Sequence, residues 1–137
     1  MQRTLAIIKP DGVEQKVAGR VLARIEEEGF EIVALRMVRL SRREAEGFYA
    51  VHRGKKFFDA LTAFMSSGPA IVLVLERADA IAHWREIMGA TNPAAAAEGS
   101  LRRQFAANIE RNVVHGSDAP ATAAVEIAYF FGGIDLV

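Results

Sequence analysis

Apolar and polar positions near the N-terminus follow two different periods. Leu5 to Ile8 is a compact apolar run, and the Lys9-Pro10-Asp11-Gly12 segment after it has residues that favour a turn. From Val17 to Glu28 the apolar residues recur at helical spacing, and Gly29 stops that pattern. The first part of the chain therefore predicts a strand, a turn and an amphipathic helix.

Alternation returns in the next segment, between Phe30 and Leu40. It predicts a half-buried strand with an irregularity at Met37-Val38. Ser41-Arg42-Arg43-Glu44 matches a capping box, so we expect a helix to begin at Ser41 and to end near Tyr49. The apolar spacing between Phe57 and Met65 predicts a further amphipathic helix.

The longest apolar run, Ala70 to Leu75, predicts the central strand of a sheet. Asp79 opens another amphipathic pattern, which predicts a helix. The segment from Gly89 to Gly99 has no periodicity and predicts a long irregular loop. Leu101 to Phe105 predicts a short helix after that loop.

A short β-branched run then ends at His115, which predicts a last strand. Ser117 or Asp118 can cap the helix that follows, and Pro120 suits the first turn of that helix. We expect the helix to end near Phe131 and the remaining residues to form a tail.

This order of elements predicts a fold class. Strand, helix, strand, strand, helix and strand form the core, with extra helices and one loop inserted. That order is typical of a ferredoxin-like α+β sandwich, in which an antiparallel sheet carries helices on its faces. The length of 137 residues suits a single domain over residues 1–137. The fold class alone indicates no particular chemistry.

Composition narrows the class of protein. The apolar fraction of 51% and the charged fraction of 25% are ordinary for a soluble globular chain. Lys and Arg together number 17, as do Asp and Glu, so nucleic acid is not expected as the main partner. The absence of cysteine excludes disulfides, thiolate metal sites and a cysteine nucleophile.

The lengths of the apolar runs also indicate where in the cell the protein is expected. None approaches the roughly 20 residues of a membrane span, and the N-terminal run is too short for a signal peptide. We therefore expect no membrane partner and a cytoplasmic protein.

Candidate chemistry lies where the predicted strands end. His115 follows a strand and precedes a helix N-terminus, whose free N–H groups favour a phosphate. An imidazole in that place can act as a nucleophile toward phosphorus. Each surrounding donor also has an ordinary interpretation as a solvated charge or a turn residue. The donors are Lys9, Arg85, Thr91, Arg102 and Asn112.

Several longer motifs stand in a fixed order along the chain. They are Ile8-Lys9-Pro10-Asp11-Gly12, Phe48-Tyr49, Phe57-Phe58, Ser67-Gly68-Pro69, Gly89-Ala90-Thr91-Asn92-Pro93, Leu101-Arg102 and Asn112-Val113-Val114-His115-Gly116-Ser117-Asp118. Through them the chain resembles the nucleoside diphosphate kinase family from Arg3 to about Phe131. The last motif is similar to the active-site signature of that family.

The resemblance implies a ping-pong phosphoryl transfer with low base and sugar specificity. The γ-phosphate of ATP or another nucleoside triphosphate would pass to His115 and then to a nucleoside diphosphate. Glu126 matches the acidic partner of the histidine, and Lys9 and Tyr49 match further catalytic positions.

The same resemblance implies a nucleotide-binding set and a cofactor. Phe57 matches the residue that stacks on the base, and an aromatic face accepts any base. Mg²⁺ is expected to be held mainly by the nucleotide and not by protein ligands, with Asp118 able to contribute through water. A homo-oligomer, either a tetramer or a hexamer, is also implied. The nucleotide-binding positions are Lys9, Phe57, Arg85, Thr91, Arg102 and Asn112.

Some positions depart from the family pattern or match none of its functional positions. The departures are Lys55-Lys56, Ala90, Arg103-Gln104 and the short tail. Arg103-Gln104 is expected to alter the charge beside the nucleotide. His52 and His83 match no catalytic position, so we expect surface or helix-packing roles for both.

Two other classes of function remain open at this point. One is a ferredoxin-like module that binds a nucleotide or nucleic acid without turnover. The other is an oligomeric structural protein descended from an enzyme. Phosphate exchange between ATP and a second nucleotide would separate both from a kinase.

Overall fold

A computed structural model describes residues 1–137 and has a four-stranded sheet. The strands are β1 (Gln2–Ile8), β2 (Glu31–Val38), β3 (Ala70–Arg77) and β4 (Val114–Gly116). They lie in the order β2-β3-β1-β4, and every neighbouring pair is antiparallel. This order and the helices between the strands confirm the ferredoxin-like α+β fold.

Helices lie on both faces of this sheet. They are α1 (Pro10–Glu14), α2 (Ala18–Glu27), α3 (Arg42–Phe48), α4 (Phe58–Met65), α5 (Ala80–Met88), α6 (Leu101–Phe105) and α7 (Pro120–Phe130). Successive side chains of β1 point to opposite faces, so Ile7 and Ile8 enter different cores. One core, with Ile25 and Trp84, is called the α2/α5 core, and the other, with Met65 and Phe130, the α4/α7 core.

The predicted local signals for the helix ends are confirmed at two places. The Ser41 hydroxyl accepts a hydrogen bond from the Glu44 amide at 3.1 Å, and the Glu44 carboxylate accepts one from the Ser41 amide at 2.8 Å. This is the predicted capping box of α3. Gly29 has a φ of 81°, so it leaves the helical region directly after α2, as the sequence predicts.

Three local predictions are wrong. The segment predicted as a turn is the start of α1, because Pro10 fits a first helical turn whose N–H groups bond to the Lys9 carbonyl. The irregularity in β2 lies at Ile32/Ala34 and not at Met37-Val38. The N-cap of α7 is Ala119, so neither Ser117 nor Asp118 caps it.

The remaining segments connect these elements. The loop after α5 contains one 3-10 turn, Pro93–Ala95, and the tail contains another, Gly133–Asp135. The Val137 amide donates a hydrogen bond to the Val33 carbonyl at 3.3 Å, so the tail lies along β2. None of the helices has the length and apolar character to cross a lipid bilayer.

Candidate active site

His115 is the middle residue of β4, at the edge of the sheet beside β1. Its carbonyl accepts a hydrogen bond from the Trp84 indole N–H at 3.1 Å. A Cβ atom on Gly116 would lie 2.5 Å from Trp84 Cδ1, so only glycine lets this strand approach the indole so closely. The backbone of His115 is therefore fixed by α5, while its side chain is 18% exposed.

Glu126 on α7 orients the imidazole of His115. The His115 Nε2 atom lies 3.0 Å from Glu126 Oε1, which also accepts a hydrogen bond from the Ser117 hydroxyl at 2.7 Å. The Leu5 amide in turn donates to that hydroxyl at 3.2 Å. An ionised carboxylate only accepts hydrogen bonds, so the proton lies on Nε2 of the ring. Nδ1 of the neutral imidazole then carries the free lone pair.

Lys9 is buried at the end of β1, next to the strand of His115. Its ammonium donates a hydrogen bond to Asn112 Oδ1 at 2.8 Å. Burial, and then the charge of Arg102, lower the pKa of Lys9 to about 8, whereas Asp11 acts in the opposite direction. A buried cation held by an amide can donate to an anionic ligand with little reorganisation.

Arg102 on α6 ties the last strand to the loop that precedes α6. Its guanidinium donates hydrogen bonds to three carbonyls: Gly89 at 3.0 Å, Val114 at 2.8 Å and Asn112 at 3.3 Å. Burial, and then the charge of Arg85, lower the pKa of Arg102 to about 10, so the guanidinium stays charged at neutral pH. This residue therefore has a structural role in addition to any contact with phosphate.

Tyr49 lies beside His115, with ring centroids 6.3 Å apart in an edge-to-face arrangement. Its hydroxyl is buried and has no hydrogen-bond partner within the chain. Burial, and then the charge of Glu126, raise the pKa of this hydroxyl, which therefore stays protonated. The hydroxyl of Tyr49 therefore has unused hydrogen-bonding capacity close to the histidine.

His52, for which the sequence predicted a surface or helix-packing role, is half-buried and lies beside this site. Its ring stacks on Tyr49 at 6.2 Å and meets Phe57 edge-to-face at 5.3 Å. Its Nδ1 atom lies 3.1 Å from the Lys55 ammonium. Burial, and then Lys55, lower the pKa of His52, while Asp118 opposes them. The 3-10 turn Ala50–His52 brings the imidazole here, and no periodic pattern in the sequence predicts that turn.

A cavity of about 290 Å³ opens beside these side chains. Phe57, which is 49% exposed, forms one wall, while Phe58 is buried in the α4/α7 core. The Asn112 amide donates a weak 3.4 Å hydrogen bond to the Thr91 carbonyl, so the loop after α5 forms another wall. The lining residues predicted from sequence are Lys9, Phe57, Thr91 and Asn112.

Other predicted residues lie around this cavity and not in it. Exposed Arg85 and Asp118 line a second surface depression of about 440 Å³. Arg103 donates to the Ala94 carbonyl at 3.2 Å in a wider groove, so its charge does not line the cavity of Phe57. His83 pairs with Glu28 at 2.9 Å, which confirms a helix-packing role.

Fold and site together define a class of protein, the nucleotide-binding phosphotransferases. The family model described as nucleoside diphosphate kinase matches residues 2–136. The chain belongs to this family and is an enzyme of that kind.

Relatives along the full length support the assignment. The chain is 59% identical over 137 residues to the nucleoside diphosphate kinase of Desulfosudis oleivorans, which covers 100% of this chain and 99% of that protein. It is 58% identical to that of Syntrophotalea carbinolica, with 100% of both chains covered.

Solved structures agree with the sequence comparison. The Aquifex aeolicus nucleoside diphosphate kinase has a TM-score of 0.98 and 45% identity, with 99% of each chain covered. The Halobacterium salinarum enzyme, solved in complex with CDP, has a TM-score of 0.96 and 38% identity, with 99% of this chain and 91% of that chain covered.

Proposed function

We propose that the chain transfers the γ-phosphate of a nucleoside triphosphate to a nucleoside diphosphate through a phosphohistidine at His115. The observation that carries this proposal is the 3.0 Å contact between His115 Nε2 and Glu126. It holds the proton on Nε2 and leaves the lone pair of Nδ1 as the nucleophile.

The reaction consists of two half-reactions of the same kind. Nδ1 of His115 attacks the γ-phosphorus, and the bond from that phosphorus to the β,γ-bridging oxygen breaks. The bridging oxygen keeps the bonding electrons and leaves with the nucleoside diphosphate. The phosphorylated ring becomes cationic, and Glu126 stabilises that charge through Nε2–H. A second diphosphate then takes the phosphoryl group in the reverse step.

Side chains around His115 supply charge and hydrogen-bond donors to the phosphates. Buried Lys9 and the unpaired hydroxyl of Tyr49 have the chemistry for phosphate oxygens that become more negative in the transition state. His52 stacks on Tyr49 and adds a donor that sequence reasoning did not assign. The remaining residues proposed to bind the nucleotide phosphates or ribose are Arg85, Thr91, Arg102 and Asn112.

Phe57 is proposed to stack on the base. Its ring is 49% exposed and forms a wall of the 290 Å³ cavity, which is an arrangement suited to a planar ligand. Stacking on an aromatic face is tolerant of sequence, so low base specificity follows. The complex of the Halobacterium enzyme with CDP supports nucleotide binding by this chain.

Magnesium is proposed to bind with the nucleotide. The ion is expected to be held mainly by phosphate oxygens of the nucleotide. Asp118 near the site is the carboxylate that could reach the ion through water. When bound, the ion neutralises phosphate charge.

We also propose a cytoplasmic homo-oligomer, a tetramer or a hexamer, as the family implies. Leu35 and Met37 on edge strand β2 are 49% and 57% exposed. Exposed apolar side chains on a sheet edge fit a surface that a second copy covers. Sedimentation equilibrium measures the size of the assembly.

The test is exchange of phosphate from ATP to GDP, followed as GTP formation. We expect double-reciprocal plots at several GDP concentrations to be parallel, since the enzyme passes through a covalent intermediate. His115→Ala should form no GTP. GDP binding without GTP formation by the wild-type protein would instead favour a binding module.

A further inference from the structure

Val113, between Asn112 and the strand of His115, has a strained backbone. Its φ is 73°, in the left-handed region that β-branched residues rarely adopt. The Val114 amide donates a 2.8 Å hydrogen bond to the Asn112 carbonyl, so the three residues form a γ-turn. A γ-turn with positive φ at its centre is the strained form of this turn, and it persists only where the surroundings hold it.

Three elements hold this turn in place. The Lys9 amide donates to the Val113 carbonyl at 2.7 Å, and the Arg102 guanidinium donates to the Val114 carbonyl at 2.8 Å. The amide of Val113 itself donates to Asp11 Oδ2 at 3.1 Å. Asp11 on α1 is thus the side chain that accepts from the strained residue.

The buried side chain of Asp11 is unfavourable for a residue whose only role is to stabilise the fold. The side chain is buried, and its other oxygen, Oδ1, has no hydrogen-bond partner. Burial raises the pKa of this carboxyl, although the Val113 amide and Lys9 act in the opposite direction. A buried acceptor with an unpaired oxygen costs stability, so packing alone does not account for a carboxylate at this position.

The turn separates two side chains of the proposed site. Asn112 is the first residue of the turn and accepts a hydrogen bond from the Lys9 ammonium at 2.8 Å, whereas His115 directly follows the last residue of the turn, Val114. Space around the turn is tight, since a Cβ on Gly12 would lie 3.1 Å from Val113 Cγ1. A change of φ at Val113 would therefore rotate Asn112 relative to His115.

We propose that Asp11 is a positioning residue for phosphoryl transfer, which holds Val113 in its strained turn and so fixes Asn112 and His115 relative to each other. The inference rests on the proposed function at His115. The competing explanation is that Asp11 serves only as a negative charge beside Lys9.

Asp11→Ala and Asp11→Asn separate these explanations. Asparagine keeps a carbonyl oxygen for the Val113 amide but removes the charge, whereas alanine removes both. The single-turnover rate of His115 phosphorylation by ATP should fall about 10- to 100-fold in Asp11→Ala, the scale expected when a reacting group shifts by about 1 Å. It should stay within about threefold in Asp11→Asn. Because Asn112 is also a proposed nucleotide-binding residue, the Kd for ADP should rise in Asp11→Ala, but by a smaller factor than the rate falls, and it should stay within about threefold in Asp11→Asn.

Each variant is measured at a temperature where circular dichroism shows it to be fully folded. Glu14→Ala is the matched control, because Glu14 is an exposed carboxylate on the same short helix and has no bond to Val113. It should phosphorylate at the wild-type rate. Equal losses of rate in Asp11→Asn and Asp11→Ala would overturn the inference. They would favour the explanation in which Asp11 serves only as a negative charge beside Lys9.

If Asp11→Ala does not fold, the same substitution is tested in a protein that already carries a change at Val113. Glycine adopts positive φ without strain, so Val113→Gly makes the turn independent of Asp11. Adding Asp11→Ala to Val113→Gly should cost less than about threefold in rate and should restore folding where the single variant fails. If Asp11→Ala lowers the rate as much in the Val113→Gly protein as it does alone, or if the double variant does not fold, the inference is contradicted. Failure of the wild-type protein to phosphorylate would instead contradict the proposed function itself.

Discussion

His115 and Glu126 form the pair on which the proposed chemistry depends. The histidine lies on edge strand β4 and the glutamate on α7, and the 3.0 Å contact between them fixes the imidazole tautomer. Ser117 donates to the same carboxylate oxygen at 2.7 Å and holds it against the ring. These contacts fix the orientation of the ring and, when the ring is neutral, leave Nδ1 as the free nitrogen.

Glu126→Gln tests the charge of this pair. Glutamine can still accept a hydrogen bond from Nε2, but it does not neutralise the cationic phosphorylated ring. The rate of His115 phosphorylation should fall about 10²-fold, the scale seen when one electrostatic contact to a transition state is lost. Rapid-quench kinetics measures this rate, and Glu98→Gln, at an exposed loop position, is the control. A wild-type rate in Glu126→Gln would show that the carboxylate charge is not used.

Titration of Lys9 should make nucleotide binding depend on pH above neutrality. Its pKa of about 8 means that the free enzyme loses this positive charge on passing through pH 8. Between pH 7.5 and pH 9.5 the Kd for ADP should rise about tenfold, the value of one charge-assisted hydrogen bond. Calorimetric titration measures the Kd. Lys9→Arg should flatten the profile, and a flat profile in the wild-type protein would remove Lys9 from phosphate binding.

The same group has the opposite effect on stability. The folded-state pKa of about 8 lies below the ordinary lysine value of 10.5, so between these pH values the unfolded chain binds more protons. The contribution of Lys9 to the free energy of unfolding therefore rises with pH through this window. ADP affinity and the Lys9 contribution to stability thus change in opposite directions.

At the scale of elements, contact between β4 and α5 positions the histidine. Gly116→Ala would place a Cβ 2.5 Å from Trp84 Cδ1 and 2.8 Å from Met88 Cε. We expect a loss of about 1–3 kcal/mol in the free energy of unfolding, as for overpacked cores. Urea unfolding measures it. Gly19→Ala on α2, where a Cβ meets nothing within 4 Å, should stabilise the protein instead. Equal effects of both changes would show that β4 tolerates a side chain here.

Features of helices that depend only on neighbouring residues could be predicted from the sequence. The Ser41 capping box and the Gly29 helix stop depend on neighbouring residues, and both are confirmed. The bulge at Ile32/Ala34 depends on pairing with β3, a long-range contact that no local pattern reports. The place of His52 was not predicted, because the 3-10 turn Ala50–His52 that brings its ring to Tyr49 and Phe57 has no periodic pattern in the sequence.

At the scale of the molecule, the sheet joins two cores. Ile7 of β1 packs in the α4/α7 core, and Ile8 of the same strand packs in the α2/α5 core. Unfolding of either core would therefore disrupt the strand on which the other core packs. The sequence predicted this layered fold because its alternating and helical periods were clear. The grouping of Lys9, Phe57 and Asn112 around one cavity came from the resemblance, since periodicity carries no information on contacts so far apart in the chain.

The single domain that the sequence predicts over residues 1–137 is expected to unfold in one cooperative transition. Trp84 is the only tryptophan and lies in the α2/α5 core, so its fluorescence reports that core. At one protein concentration, its urea curve should coincide with that from far-UV circular dichroism. Two separated midpoints would show that the cores unfold independently.

The most direct test of the central claim is the identity of the phosphorylated atom after reaction with γ-³²P-ATP. The account predicts a protein phosphate that is labile to acid and stable to base, located on His115 and bonded to Nδ1, with no label in His115→Ala. Phosphate on Nε2, or label that persists in His115→Ala, would contradict it.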